Sequence, residues 1–286
     1  MSHPQKVLVP VDLCQENEEA LKAIHRMDFL RDANVHFIYA VQDLIYSEDV
    51  LNYSYLLEQR PEIEADVLKK MKELSTVVLP EGHTGKVHYH CVFGIGTKET
   101  ICRFITELRP ELTIIATREK HGYFQSSFAA YLGTRAPGDV LIVRSLAFNH
   151  AVFKGKMKVA VGLKFKTTEL LLPTLKSYEF LRHAHVELLH VSPQSHYSKE
   201  EGRAVIKRVI CSKLLELKDA VVPEKFEGTF AVDCSFGSQV AKKFCELTHE
   251  AQVDLLVLKP DRTHALGGFI HHQIQHSRAN ILLVHS

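Results

Sequence analysis

The sequence predicts an α/β fold: two tandem, doubly wound, five-stranded parallel sheets on one chain. Three observations carry that prediction. Several segments recur in the same order along the chain. Short β-branched runs alternate with helical patterns. The runs are apolar on both faces, as strands inside a parallel sheet must be.

The repeat sets the architecture, because missing one miscalls the whole fold. KVLVPVDL at Lys6–Leu13 returns as KVAVGLKF at Lys158–Phe165. ANVHFIYAVQ at Ala33–Gln42 returns as AHVELLHVSP at Ala184–Pro193. CVFG at Cys91–Gly94 matches CSFG at Cys234–Gly237, and Cys102 matches Cys245 at the same spacing. ELTIIAT at Glu111–Thr117 matches DLLVLKP at Asp254–Pro260, and VLIV at Val140–Val143 matches ILLV at Ile281–Val284. The offset shrinks from 152 to 141 residues along the chain, so the second copy is the shorter one.

Each element follows in order. The strands of the first copy are Val7–Val11, Val35–Ala40, Val87–Val92, Leu112–Ala116 and Val140–Val143. Ala20, Ala23, Ile24 and Met27 fall at helical spacing, as do Ile101, Phe104, Ile105 and Leu108. The longest helix is expected over Glu62–Val78, after a polar segment, Gln42–Arg60. Pro173 sits inside the first helical pattern of the second copy, so that helix starts late or kinks. The boundary falls near Ser145–Lys156, giving domains 1–147 and 155–286. VLIV and ILLV are the last strands, and pairing them would pack the halves as an internal pseudo-dimer and cover two apolar edges.

Composition narrows the function classes. Thirty-five Lys and Arg against 34 Asp and Glu give a net charge of +1, which argues against a nucleic-acid surface. No apolar run approaches the ~18 residues of a membrane span. MSHPQKVLVPVD lacks the apolar core and cleavage site of a signal peptide, so a cytoplasmic protein is expected. Its six cysteines contain no C-x-x-C pair and are expected as free thiols.

These features together resemble the universal stress protein family in its tandem, two-domain form, over nearly the whole chain. VLVPVDLCQENEEAL resembles the family's first strand and helix, with Asp12 at its adenine-site aspartate. The segment from Glu111 resembles the fourth strand and phosphate loop. RAPGDVLIVR at Arg135–Arg144 resembles the last strand and its lead-in, and HSRANILLV is the second copy's version. The resemblance implies an adenine nucleotide alpha hydrolase-like fold, with a ligand site at the carboxyl ends of the strands, between strands one and four.

The implied nucleotide cleft of the first copy comprises Pro10, Val11, Asp12, Thr117, Arg118, Gly122, Ser126 and Ser127. The second copy offers Lys259, Arg262, Gly267 and Gly268. In nucleotide-binding relatives the loop reads G-x-x-G-x9-G-[ST], because backbone N–H groups must approach phosphate oxygens. Here the leading glycine positions fall on Ala116 and Glu119, and Ser126–Ser127 stands at the closing pair, after a shortened gap. In the second copy they fall on Lys259, Arg262 and Gly267–Gly268, with a gap shorter still, and the aspartate position falls on Gly162. A shortened loop cannot wrap a triphosphate, and Glu119 would set a carboxylate beside phosphates. Asp12, Ser126, Ser127 and Gly268 also serve as helix N-caps without any ligand.

Two other constellations are weighed. His272 and His276, among the cluster His264, His271, His272 and His276, stand at i, i+4, a spacing that can bind zinc; no nearby acid or cysteine completes a site. A solvated face opposite Phe269 and Ile274 accounts for them better, and no metal is expected. His88 and His90 share one strand face and are expected to be hydrogen-bonded at a sheet edge.

The sequence thus points to a cytoplasmic, non-catalytic stress-response or interaction module with degenerate nucleotide loops. Its expected partners are other proteins, with a small ligand in the cleft and neither nucleic acid nor membrane; a further homodimer is left open. The alternative is an ATP-binding stress regulator with slow ATPase, using the first domain. No firm cofactor follows.

Overall fold

The computed structural model describes residues 4–13, 20–42, 50–94, 96–117, 123–144, 157–163, 175, 178–194, 200–260 and 268–285. In chain order the elements are β1 (Lys6–Pro10), β2 (Asn34–Gln42), α1 (Val50–Val78), β3 (Val87–Gly94), α2 (Thr97–Leu108), β4 (Leu112–Thr117), α3 (Tyr123–Arg135) and β5 (Asp139–Arg144). The second half follows with β6 (Lys158–Gly162), β7 (His185–Pro193), α4 (Glu200–Glu216), α5 (Lys218–Val221), β8 (Thr229–Gly237), α6 (Val240–Glu250), β9 (Leu255–Leu258), α7 (Gly268–His276) and β10 (Asn280–Leu283).

All ten strands join one sheet in the order β3-β2-β1-β4-β5-β10-β9-β6-β7-β8. Pairing is parallel within each half, and β5 meets β10 antiparallel, with Leu141 opposite Leu282. The order reads the same from both ends, so the halves are related by a pseudo-two-fold axis through that seam. Two apolar layers sandwich the sheet, and each draws residues from both halves.

A polar clasp closes the seam. Asp139 Oδ1 accepts the His285 N–H at 2.7 Å, and its other oxygen accepts the Tyr178 hydroxyl. At the pseudo-equivalent corner, Asn280 Oδ1 accepts the Arg144 N–H at 2.9 Å. Burial pushes the Tyr178 hydroxyl well above its ordinary pKa, and the Asp139 charge adds to the shift. Phe29 and Phe180, repeat counterparts, meet with ring centroids 5.2 Å apart.

Several expectations are corrected. At Ala20–Met27 the chain is α-helical at Ala20 and Leu21, directly after the undescribed 14–19, and then tightens into two short 3₁₀ turns, Lys22–Arg26 and Asp28–Leu30. Met27 leaves helical geometry at ψ 77°, yet Ile24 and Met27 are still buried. The long helix begins at Val50, well before Glu62, and carries Pro61 inside it. Residues 50–60 of the segment read as polar are therefore helical. The run at Val87–Val92 is not buried on both faces, because β3 is an outer edge of the sheet. Pro173 and the stretch 145–156 lie outside the described residues.

Cys91, Cys102, Cys211, Cys234 and Cys245 are free thiols, and Cys14 lies outside the described residues. Burial holds Cys91, Cys102 and Cys234 up at about 11, so none is poised as a thiolate. Among the described residues no helix is long and apolar enough to cross a membrane.

Candidate functional site

In the first half, β1 is flanked by β2 on one side and β4 on the other. The chain order reverses there, and crevices form at such points beyond the carboxyl ends of the strands. A cleft of about 630 Å³ opens at that place. Pro10, Val11 and Asp12 come from the end of β1, Gln42 from β2, and Ile115 and Ala116 from β4. Gly96, Thr97, Lys98, Glu99 and Ile101 come from the start of α2, and Phe128 from α3.

Local geometry explains the shape. The Val11 N–H still donates to Ile38 O at 2.9 Å, which holds the chain against β2 up to the edge of the cleft. Leu13 then turns away with φ at 53°, a left-handed conformation uncommon for a branched residue. Asp12 is thereby left exposed at the mouth. On the opposite wall, Gly96 is the N-cap of α2. A Cβ there would lie 2.2 Å from Glu99 Oε2, so the Glu99 carboxylate folds back over the glycine and against the positive end of the helix. Among the described residues the wall has an apolar floor, two carboxylates and one lysine.

The residues read from sequence divide as follows. Pro10, Val11 and Asp12 line the cleft. Thr117 does not: it is buried, and its hydroxyl donates to Val143 O at 3.4 Å. Arg118 and Gly122 lie outside the described residues. Ser126 and Ser127 fall inside α3, which begins at Tyr123, so they are not its N-cap. Helix growth to Tyr123 leaves five residues, 118–122, between β4 and α3. The second-half connection, 259–267, has nine, so it is the longer of the two rather than the shorter. Lys259 follows β9 directly, Gly268 opens α7, and Arg262 and Gly267 lie outside the described residues. Gln42, Gly96, Thr97, Lys98, Glu99, Ile101 and Phe128 were missed; the G-x-G-T-K run between a strand and a helix was their only signal.

Strand register also corrects one equivalence. Leu163 N–H donates to Leu189 O as Val11 N–H donates to Ile38 O. Gly162 therefore corresponds to Pro10, and the counterpart of Asp12 is Lys164, outside the described residues.

A second cluster lies at the outer edge of the sheet. His36 on β2 is directly opposite His88 on β3. Their rings stack at 4.4 Å, and the ring nitrogens of His36 and His90 share a hydrogen bond at 3.0 Å. Phe104 of α2 covers His90 at 4.7 Å. Burial, then the neighbouring His88 and His90, lower His36 from 6.5 to about 4. Burial, then His88, lower His90 as well. The edge hydrogen bonding expected for His90 is thus present. At the mirrored edge Glu187 and Asp233 replace His36 and His90, and burial, then Asp233, raise Glu187. On α7 the His272 and His276 rings lie 4.4 Å apart. Among the described residues no three His, Cys, Asp or Glu side chains are grouped to hold a metal ion.

Residues 4–144 match the model of the universal stress protein family. The chain belongs to the universal stress protein family. A universal stress protein from Archaeoglobus fulgidus DSM 4304 has a similar solved structure, with TM-score 0.64, 13% identity, and coverage of 99% of this chain and 97% of that one. A functionally unknown protein from Pseudomonas aeruginosa PAO1 gives TM-score 0.59, 12% identity, and coverage of 98% and 92%. At such identities the likeness shows the fold. A universal stress protein in complex with cAMP covers 50% of this chain and 99% of its own, at 17% identity and TM-score 0.36. A comparison with curated proteins finds no match. The ten-stranded sheet, built from two repeats, is that of a tandem universal stress protein.

Proposed function

We propose that this tandem universal stress protein is a non-catalytic stress-response module whose first-half cleft holds the nucleoside part of an adenine nucleotide. The observation that carries this reading is the open cleft of about 630 Å³ at the β1–β4 switch, with Asp12 at its mouth. An apolar floor from Val11, Ile101, Ile115 and Phe128 offers a surface for a base, and Asp12 can accept from its exocyclic amine or from ribose hydroxyls.

The same wall argues against turnover of a triphosphate. Phosphoryl transfer needs cationic charge around the moving phosphate. Among the described lining residues, Lys98 shares the cleft with Asp12 and Glu99, and the connection that wraps phosphates in nucleotide-binding relatives is cut to five residues. The loops therefore read as degenerate. The protein acts through other proteins in a reducing cytoplasm, a reading that the free thiols among the described residues support.

Calorimetry with adenosine, AMP and ATP tests the proposal. Adenosine or AMP should bind, and ATP should bind no tighter than about 100 μM, or about −5.5 kcal/mol. Asp12→Ala should abolish binding, and Gly267→Ala should not. Micromolar ATP affinity with hydrolysis would favour the ATP-dependent regulator; no binding of any of the three would leave a purely protein-binding module.

A further inference from the structure

The two halves share a fold, and four positions that shape the first cleft have counterparts in the second. By strand register and repeat spacing these pairs are Pro10 with Gly162, Ile101 with Phe244, Ile115 with Leu258, and Phe128 with Phe269. In the first half they border open space. The second half is built differently.

Replacing proline by glycine at the end of β6 vacates volume above the strand. That volume is filled. A Cβ on Gly162 would lie 2.6 Å from Leu258 Cδ2 and 2.9 Å from Phe244 Cζ. The larger Phe244 ring therefore sits on the glycine, where the smaller Ile101 leaves room in the first half. Phe244 is 2% exposed, and Phe269 locks it edge-on, with centroids 5.2 Å apart and planes at 73°. Edge-to-face packing of this kind adds to the burial of the rings themselves. The acid that would meet a base is also gone, since Lys164 stands in the place of Asp12.

We infer that the second half has exchanged its ligand cleft for an aromatic plug, so that the chain takes one nucleoside-type ligand, in its first half, and that the residue at position 101 or 244 decides which half is open. This rests on the ligand reading proposed above. The two substitutions act together.

Titration calorimetry of the full chain with AMP, with methyl NMR as a second readout, tests the inference. One site per chain is expected, and Ile101→Phe should weaken AMP at least tenfold in a variant whose circular dichroism is unchanged. Two sites in the wild-type chain, or full AMP affinity in folded Ile101→Phe, would overturn it. Toluene serves as a probe that does not depend on nucleotide binding. It should shift the Ile115 methyl and not the Leu258 methyl in wild type, and should shift Leu258 once Phe244→Ala removes the plug. A Leu258 response in wild type, or silence in Phe244→Ala, also overturns it. Absence of AMP heat in every variant counts against the ligand reading, and the toluene result still decides the plug.

Discussion

Acidification should loosen this protein before its carboxylates titrate, and His36 sets the size of the effect. His36 is 9% exposed. It is opposite His88 and hydrogen-bonded to His90, and Lys6 of β1 adds positive charge nearby. From α2, the Phe104 ring closes the His90 side, and the Lys6 amine is tied to Leu108 O at 3.1 Å. A proton on His36 therefore lands among other bases with no acid identified beside it. Its folded pKa is about 4 against 6.5 for the free group. Because the folded value is the lower, its contribution is complete above pH 6.5. It is lost as pH falls from 6.5 through 4, while the unfolded chain takes up the proton first. At 1.36 kcal/mol per unit, the full shift corresponds to about 3 kcal/mol, of which about 2 is lost by pH 5. His90, His190 and His272 are lowered too and act in the same direction. Glu187, held high by burial, acts the opposite way and recovers part of the loss only near the carboxylate range. Urea unfolding at pH 7.5, 6.5, 5.5 and 5.0 reads the loss, and His36→Gln should flatten the slope by close to one proton. A stability constant to within 0.5 kcal/mol over that range, or a slope unchanged in His36→Gln, would refute the reasoning.

Other outcomes follow from the seam. Tyr178→Phe removes one donor from the buried Asp139 and should cost about 1–2 kcal/mol in urea unfolding, whereas Asp139→Ala strands the Tyr178 hydroxyl and the His285 N–H and should cost about 2–4. Either half expressed alone should self-associate or aggregate, because it bares β5 or β10 as an apolar edge. Light scattering showing a soluble monomeric half would count against this.

Sequence carried the fold further than the site. The inner strands were legible because buried parallel strands must be apolar on both faces, and the edge strands β3 and β8 because their run was seen twice. The cleft was only half legible. Asp12 could be read from its strand end, but the facing wall of Gly96, Lys98 and Glu99 is assembled by packing α2 across β2 and β3, which no local pattern announces. His88 and His90 were visible as a pair; His36, more than fifty residues earlier, joins them only through the β2–β3 register. The start of α1 escaped notice because Gln42–Arg60 was read only as a polar segment ahead of the helix. The counterpart of Asp12 was misplaced by two positions, although the repeat KVLVPVDL/KVAVGLKF, aligned without a gap, already sets Asp12 against Lys164.

The seam between β5 and β10 frees the two halves from an obligation that binds every symmetric dimer, where one codon change appears at two places at once. Here the mirrored corners have parted company. Asp139 collects two donors, one of them the Tyr178 hydroxyl, but the residue matching Tyr178 in the first half is Met27, which has no proton to give. An aspartate at position 280 would lack that second donor. Asparagine stands there instead, accepting the Arg144 N–H and turning its own amide toward Asp254 O at 3.4 Å. Joining two copies in one polypeptide thus lets each side of a formerly shared contact be solved by separate chemistry, and the same independence allows one cleft to stay open while its twin is filled.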